Sequence, residues 1–344
     1  MSLLLEYLHT KYKVIDSGFF TANIEGYWSN LSKEENKIIV ESLKHSSARD
    51  VLLRHQPWLE DIIYSPKRQA GLEMLQLQGD EVCIDYGCMW GALTVPLALR
   101  TKFVIGVDQT LESLQFLRAR LRDEGVDNVA LLRNDLRKMP VFPERARVDV
   151  AIVNGVLEWI PEDGDIELKA YYGKHQKKAY AAHPEEQQRA FLHHIYQNLN
   201  EQGKLYLAIE NRFDFKMFLG VKDPHSNTLF TSVLPRKVAN WISLAKLGRP
   251  YINWTYSFEG IARLLRKTGF SKVDMYMSFP DYQFPESIIP YDHPLDNYRS
   301  TISRRNAHGK KTIKRTFGKI AELVAFKILK SKSLAPSIIA IGHK

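Results

Sequence analysis

The chain has 344 residues, 44% of them apolar and 25% charged, enough to bury a large core and ordinary for a globular protein. No apolar run approaches the roughly 20 residues that cross a bilayer, and the first residues lack the basic region and small-residue cleavage site of a secretion signal. A formal net charge of +9 leaves two readings open: an anionic partner (nucleic acid, a phosphate-bearing substrate or an anionic membrane surface), or simply a basic enzyme. The two cysteines, Cys83 and Cys88, fall where a disulfide would staple a strand to its own turn. Reduced thiols, and hence a cytoplasmic protein, are expected.

Residues 1–65 read as a helical cap. Ser32 and Glu35 form a capping-box-like start ahead of Ile38, Ile39, Val40 and Leu43. The polar, aromatic-spotted stretch 19–30 is one that could reach a substrate. A second helix is expected over 66–77. From residue 81 a regular alternation begins, with strands at 82–85, 103–108, 129–133, 148–153 and 204–210, and helices at 91–100, 111–123 and 187–198. Short apolar strands alternating with helices predict an α/β fold with a Rossmann-like, doubly wound, mainly parallel sheet. A helix at 258–268, a strand at 273–278, a helix near 313–330 and a last, antiparallel strand at 337–341 close the domain, which spans 66–344. Insertions are expected at 161–188, 212–255 and 285–330. In the 313–330 helix, Ile313, Phe317, Ile320, Val324 and Ile328 share one face.

Polar residues recur where the parallel strands end. The first strand runs into Asp85, Gly87 and Gly91. Asp108 and Gln109 follow the second strand, about 20 residues on, where a carboxylate can grip both hydroxyls of a ribose. Asn134, Asp135 and Leu136 follow the third, with an acceptor for an exocyclic amine, and Asn154 and Gly155 follow the fourth. All lie on one edge of a parallel sheet and must converge. The turn lacks the G-x-G-x-x-G that cradles a pyrophosphate, so a dinucleotide-dependent oxidoreductase is disfavoured.

This order and spacing resemble those of the class I S-adenosylmethionine-dependent methyltransferases. The run Asp85-Tyr86-Gly87-Cys88 resembles that family's first motif, Asp108 its ribose-binding acid, Asn134-Asp135-Leu136 its adenine-side motif and Asn154-Gly155-Val156-Leu157-Glu158 its fourth. The resemblance implies S-adenosyl-L-methionine as cofactor. Where the family's first motif has its middle glycine, this chain has Met89, which is expected to reshape the methionine end of the pocket.

Glu158 and Trp159, the strand end Glu210-Asn211-Arg212, the run Asp223-Pro224-His225 and the proline-flanked Asp281-Tyr282 resemble a bacterial methyltransferase subgroup found alone or fused to glycosyltransferases in surface-polysaccharide pathways. That resemblance implies a sugar or glycan acceptor methylated on oxygen. Transfer to a hydroxyl needs alignment and a proton acceptor. His225, Glu210 and Asp281 are the catalytic candidates, and Glu158, Trp159, Asn211, Arg212 and Tyr282 the acceptor-binding ones. His225 offers a neutral imidazole near pH 7, or it is a loop histidine satisfied by backbone. Glu210 and Arg212 either grip the acceptor or pair with each other, and Asp281 is a base or a turn acid.

His175, His183, His193 and His194 have no companion acids at chelating spacing, so no metal is expected there, and the 161–188 insertion is better read as a lid over the acceptor site. The basic segment 299–332 has three readings: contact with anionic lipid, placing the protein at the inner membrane face, contact with nucleic acid, or a helix packed on the domain with solvated lysines. A small natural product or RNA is the alternative acceptor, and a non-catalytic binding module the alternative class.

Overall fold

Burial on both faces decides the centre of the molecule. The computed structural model describes residues 2–162, 166–167, 183–295 and 313–344. In chain order the elements are α1 (Ser2–Lys11), β1 (Lys13–Asp16), β2 (Phe19–Thr21), β3 (Trp28–Ser29), α2 (Lys33–Ser42), α3 (Ala48–His55), α4 (Pro57–Tyr64) and a 3-10 stretch at Pro66–Leu75. There follow β4 (Val82–Tyr86), α5 (Thr94–Ala98), β5 (Phe103–Asp108), α6 (Leu111–Asp123), β6 (Val129–Arg133), β7 (Val148–Asn154), β8 (Ile166–Glu167), α7 (Pro184–Asn198) and β9 (Leu199–Glu210). The chain ends with α8 (Phe215–Phe218), α9 (Arg236–Leu247), α10 (Phe258–Thr268), β10 (Lys272–Phe279), β11 (Ser287–Pro290), α11 (Ile313–Leu323) and β12 (Ser337–His343).

Ten strands form one sheet in the order β1-β2-β6-β5-β4-β7-β9-β12-β10-β11. The pairs from β2 through β9 are parallel, and β12 lies antiparallel between β9 and β10. Alternation along each strand splits its side chains between two cores. Ile84 and Tyr86 face a cluster with Ile105, Val107, Leu132 and helix residues Phe191, Ile195 and Leu264. Cys83 faces the other side with Val104, Leu131, Val150, Ile152 and Ile339. The Rossmann-like sheet expected from the strand pattern is therefore present. It leaves a crevice at the carboxyl ends of β4 and β7, where the strand order reverses.

Expectations for three regions need correction. The first 65 residues do not only supply helices: β1 and β2 form a hairpin, and Phe19, Phe20 and Thr21 pair in parallel with Leu131, Leu132 and Arg133. A three-residue strand has no periodicity of its own to detect, and it forms because the edge of β6 offers a free ladder. The remaining helices of this region bury Leu31, Ile39, Val51, Leu52, Leu59 and Ile63 against Trp90 and Phe116. The helix expected at 66–77 is 3-10, and the one expected from Gly91 begins at Thr94, because Gly91 itself sits at φ +81°.

The third correction concerns the face expected on 313–330. After α11 the chain widens into a π-turn, Val324–Ile328, in which the Leu329 N–H reaches back to the Val324 carbonyl. The extra residue in the turn rotates the face. Phe326 enters the core against Phe215 and Phe279, with ring centroids 5.4 and 5.1 Å away. Ile328 is left 65% exposed and Ile320 54%. Most of the insertion at 161–188, with His175, and the segment 296–312 lie outside the described residues. Among the described residues no helix is long and apolar enough to cross a membrane.

Candidate active site

The carboxyl ends of the parallel strands open onto a cavity of about 390 Å³. Its floor is the turn after β4. Gly87 and Gly155 hold φ values of +74° and +68°, a region that L side chains enter only under strain. Space forbids a side chain as well: a Cβ on Gly87 would lie 2.6 Å from Val156 Cγ2, and one on Gly155 2.4 Å from the Tyr282 hydroxyl. Gly155→Ala is therefore expected to cost about 2–4 kcal/mol, combining strain and overpacking. Chemical denaturation would measure it, and an unchanged midpoint would contradict the contact. Gly91 does not line the cavity. Its Cβ would meet Leu117 at 2.3 Å, so its role is close helix-to-turn packing.

Asp108 ends β5 and faces the cavity. Its Oδ2 accepts the Met89 N–H at 2.9 Å and its Oδ1 the Thr110 N–H at 2.8 Å. The carboxylate faces the cavity at the strand end where a ribose would present its two hydroxyls. Burial pushes the Asp108 carboxyl up to about 6 against these hydrogen bonds. Asp85 is also pushed up to about 6, by burial first and by Asp108 second, while the Thr94 hydroxyl at 2.7 Å opposes the rise. The cavity volume falls within the roughly 300–1,000 Å³ usual for small-ligand sites. The residues present fit a nucleoside-bearing cofactor.

Met89 keeps the glycine-like backbone that the motif needs, at φ +48°. It lines the cavity, and it also packs against the apolar cluster of the N-terminal helices. The guanidinium of Arg120 braces this turn, donating to the carbonyls of Gly91 at 3.0 Å and Trp90 at 3.3 Å and lying 4.2 Å from the Tyr64 ring centre. Gln109, Leu136 and Asn154 also line the cavity. Asp135 lines it with its carboxylate clamped by Arg137, at 2.9 Å from Nε and 2.8 Å from the terminal nitrogen. Burial alone would raise Asp135, but Arg137 and Lys138 outweigh it and hold the carboxyl below its usual value. Asn134 is turned away, its amide donating to the Tyr12 hydroxyl at 3.2 Å.

At the other end of the cavity Glu158, Glu210 and His225 meet, each offering an atom within 4.8 Å of the others. Glu158 comes from the turn after β7 and Glu210 from the end of β9. His225 comes from a loop folded around Asp223, whose Oδ1 accepts the N–H groups of His225 and Ser226 at 2.9 and 2.8 Å. The Tyr251 hydroxyl donates to the other Asp223 oxygen at 3.1 Å. His225 Nε2 lies 3.6 Å from Glu158 and 3.7 Å from Glu210, and its Nδ1 is 3.8 Å from Asp223. Burial alone would lower His225, but the surrounding carboxylates hold it up at about 9. It is therefore not the neutral imidazole that its side chain would be in water. Burial pushes Glu210 up to about 7, with His225 opposing and Glu158 adding to the rise. The Trp159 ring centre lies 5.3 Å from that of His225 and 5.4 Å from that of Trp28, both in edge-on arrangements. Tyr282 lines the same end.

Three sequence candidates lie elsewhere. The Asn211 amide donates to the carbonyls of Ser333 and Ala335, both at 2.7 Å, and anchors the approach to β12. The Arg212 guanidinium caps the carbonyls of Ser232 and Leu234, both at 2.9 Å, and pins the excursion after β9 instead of pairing with Glu210. Asp281 stabilises its own turn by accepting the Phe284 N–H at 2.7 Å. His183 and His193 contact the rings of Trp254 and Tyr196.

The cavity also takes Trp28, Asn30, Trp58, Arg68 and Glu162. Of these, Trp28 and Asn30 fall in the aromatic stretch that the sequence marked. Arg68 and Glu162 carried no local signal, since only folding brings them to the strand ends.

Residues 77–231 match a family model described as a methyltransferase domain. No curated protein matches the chain. Among solved structures, the YcgJ protein of Bacillus subtilis is 12% identical, with 81% of this chain and 97% of that chain covered and a TM-score of 0.40. A SAM-dependent methyltransferase from Archaeoglobus fulgidus is also 12% identical, covering 83% of this chain and 98% of that chain at a TM-score of 0.42. Phosphoethanolamine N-methyltransferase 2 of Haemonchus contortus, in complex with S-adenosyl-L-methionine, is 14% identical, covering 87% of this chain and 60% of that chain at a TM-score of 0.45. Residues 77–231, with their strand-end acids and glycine turns, thus match a methyltransferase domain, and their cavity fits S-adenosylmethionine, the cofactor such domains use.

Proposed function

We propose that the acceptor is a hydroxyl of a sugar or glycan terminus and that the product is an O-methyl ether. The observation that carries this reading is the far end of the cavity, where Glu158, Glu210 and His225 face aromatic rings of Trp28, Trp159 and Tyr282. Carboxylates can accept the hydrogens of a polyhydroxyl ligand, a charged imidazole can donate to its oxygens, and flat rings take the apolar faces of a sugar. The lining carries six carboxylate residues against two arginines among the described residues, a balance that speaks against placing a phosphate chain at the reacting end.

Bound S-adenosylmethionine supplies an electrophilic methyl group on a sulfonium. Asp108 would hold the ribose hydroxyls, with Asp135 and Leu136 beside the base. The Glu158–Glu210–His225 cluster orients the acceptor hydroxyl and takes its proton, and the buried walls keep competing water out. Incubation with methyl-labelled cofactor and a panel of nucleotide sugars, lipid-linked glycans, small phenolic or polyhydroxyl compounds and RNA tests the assignment. Label on a sugar hydroxyl is expected. Label confined to RNA or to a non-sugar compound would overturn it.

The position of Met89 leads to a further expected outcome. Its contribution to Asp108 comes from the backbone N–H, so Met89→Gly should leave cofactor affinity within about threefold. A larger loss in a binding titration would assign the side chain a direct contact.

We also propose that residues 299–332 touch an anionic lipid surface. Exposed Ile320, Leu323, Ile328 and Leu329 lie beside Lys319, Lys327 and Lys330, the pairing of apolar and basic groups that binds such surfaces. Co-sedimentation with vesicles containing phosphatidylglycerol, and none with neutral phosphatidylcholine vesicles, is expected. Ile328→Glu with Leu329→Glu should abolish it, and equal recovery of this variant with the lipid would sink the idea.

A further inference from the structure

The cluster at the acceptor end has a geometry that hydrogen bonding does not account for. Glu158 is 1% exposed, and its Oε2, like Oε2 of Glu210, receives no hydrogen bond from the described residues. An imidazolium pairing with a carboxylate closes to about 2.7–2.9 Å. Here one ring nitrogen, His225 Nε2, stands back from two carboxylates at nearly equal distances, 3.6 and 3.7 Å. The single charge of the His225 ring does not balance the carboxylates around it, and a divalent cation that displaces the ring proton would. The ring's other nitrogen lies 3.8 Å from Asp223 Oδ1, the oxygen whose backbone hydrogen bonds fold this loop and aim the imidazole at the two carboxylates.

We propose that Glu158, Glu210 and His225 form a divalent-cation site, one imidazole nitrogen and two carboxylate oxygens, whose open positions take two adjacent hydroxyl oxygens of the acceptor. One nitrogen among oxygen donors suits a Mn²⁺-like ion. The ligands come from the turn after β7, the end of β9 and the Asp223 loop, so the site exists only in the folded chain. The cation neutralises the facing carboxylates and selects acceptors that bear neighbouring hydroxyls. Its place in catalysis rests on the methyltransferase reading above, but its existence does not.

The test uses the full-length protein, stripped with chelator and titrated with Mn²⁺ while the electron paramagnetic resonance signal of free Mn²⁺ is followed. Binding of one equivalent is expected, weakened at least about tenfold in both Glu158→Gln and Glu210→Gln. S-adenosylmethionine affinity should be unchanged in both variants, which also reports that they are folded. No Mn²⁺ binding by the parent protein at millimolar concentration would overturn the metal site and leave the cluster as a proton acceptor. Mn²⁺ binding that survives both substitutions would overturn the assignment of the ligands. Failure of the parent protein to bind S-adenosylmethionine would instead count against the methyltransferase reading, so the two failures are separable.

Discussion

Replacing Asp108 with alanine lowers affinity for S-adenosylmethionine by at least about a hundredfold, because each hydrogen bond to a buried charge contributes roughly 1.5–3 kcal/mol and two ribose hydroxyls are held. Asp108 also accepts the N–H groups of Met89 and Thr110, so alanine frees two buried donors and loosens the turn. Asp108→Asn separates the effects: it nearly preserves shape and removes charge, and its loss should be about tenfold. Calorimetric titration of the cofactor decides between them, and full affinity in Asp108→Ala would remove the carboxylate from the site. The same carboxyl sets a pH dependence. Its value in the folded protein is about 6, and the ionised form is the one that accepts both hydroxyls. Affinity should hold from pH 8 to 7 and fall through pH 6, reaching about a tenth of its plateau at pH 5. Asp85, also near 6, titrates in the same window and steepens the fall.

Glu210→Gln is expected to lower kcat by about 10²- to 10⁴-fold, the range for loss of a positioned proton acceptor, and His225→Ala to lower it by removing the charge that orients Glu210, both with cofactor affinity unchanged. Both side chains sit at the acceptor end, away from Asp108. Single-turnover transfer of labelled methyl, read beside cofactor binding, separates chemistry from binding. A parallel fall in cofactor affinity would mean that these residues only hold the cavity's shape. Asn211→Ala and Asp281→Ala act elsewhere: their hydrogen bonds secure the approach to β12 and a turn, so lowered stability is expected of them instead.

The central sheet was legible because its strands are buried on both faces and must be apolar throughout. Phe103–Asp108 and Val129–Arg133 coincide with the strands expected at 103–108 and 129–133. The β1–β2 hairpin was not legible, since its pairing energy resides in the free edge of β6. The π-turn at Val324–Ile328 escaped for a related reason: a helical face read at 3.6 residues per turn cannot register the extra residue that rotates Phe326 inward.

In the site, the sequence by itself determined what regular strand ends dictate. Asp85, Asp108, Asp135 and Asn154 follow four parallel strands, and parallel strands bring such residues to one edge whatever the loops do. Only the tertiary structure decided the acceptor end. Glu158, Glu210 and His225 are far apart in the chain, and Asp223 aims the imidazole through backbone hydrogen bonds that spacing does not encode. Arg212 and Asp281 were equally polar neighbours, but backbone groups of their own loops claimed them. The charge on His225 was also a tertiary matter: in isolation the ring titrates near neutrality, and the facing carboxylates hold it charged. A polar side chain's type sets which contacts it can make. Its burial and neighbours, known only after folding, set which ones it does make.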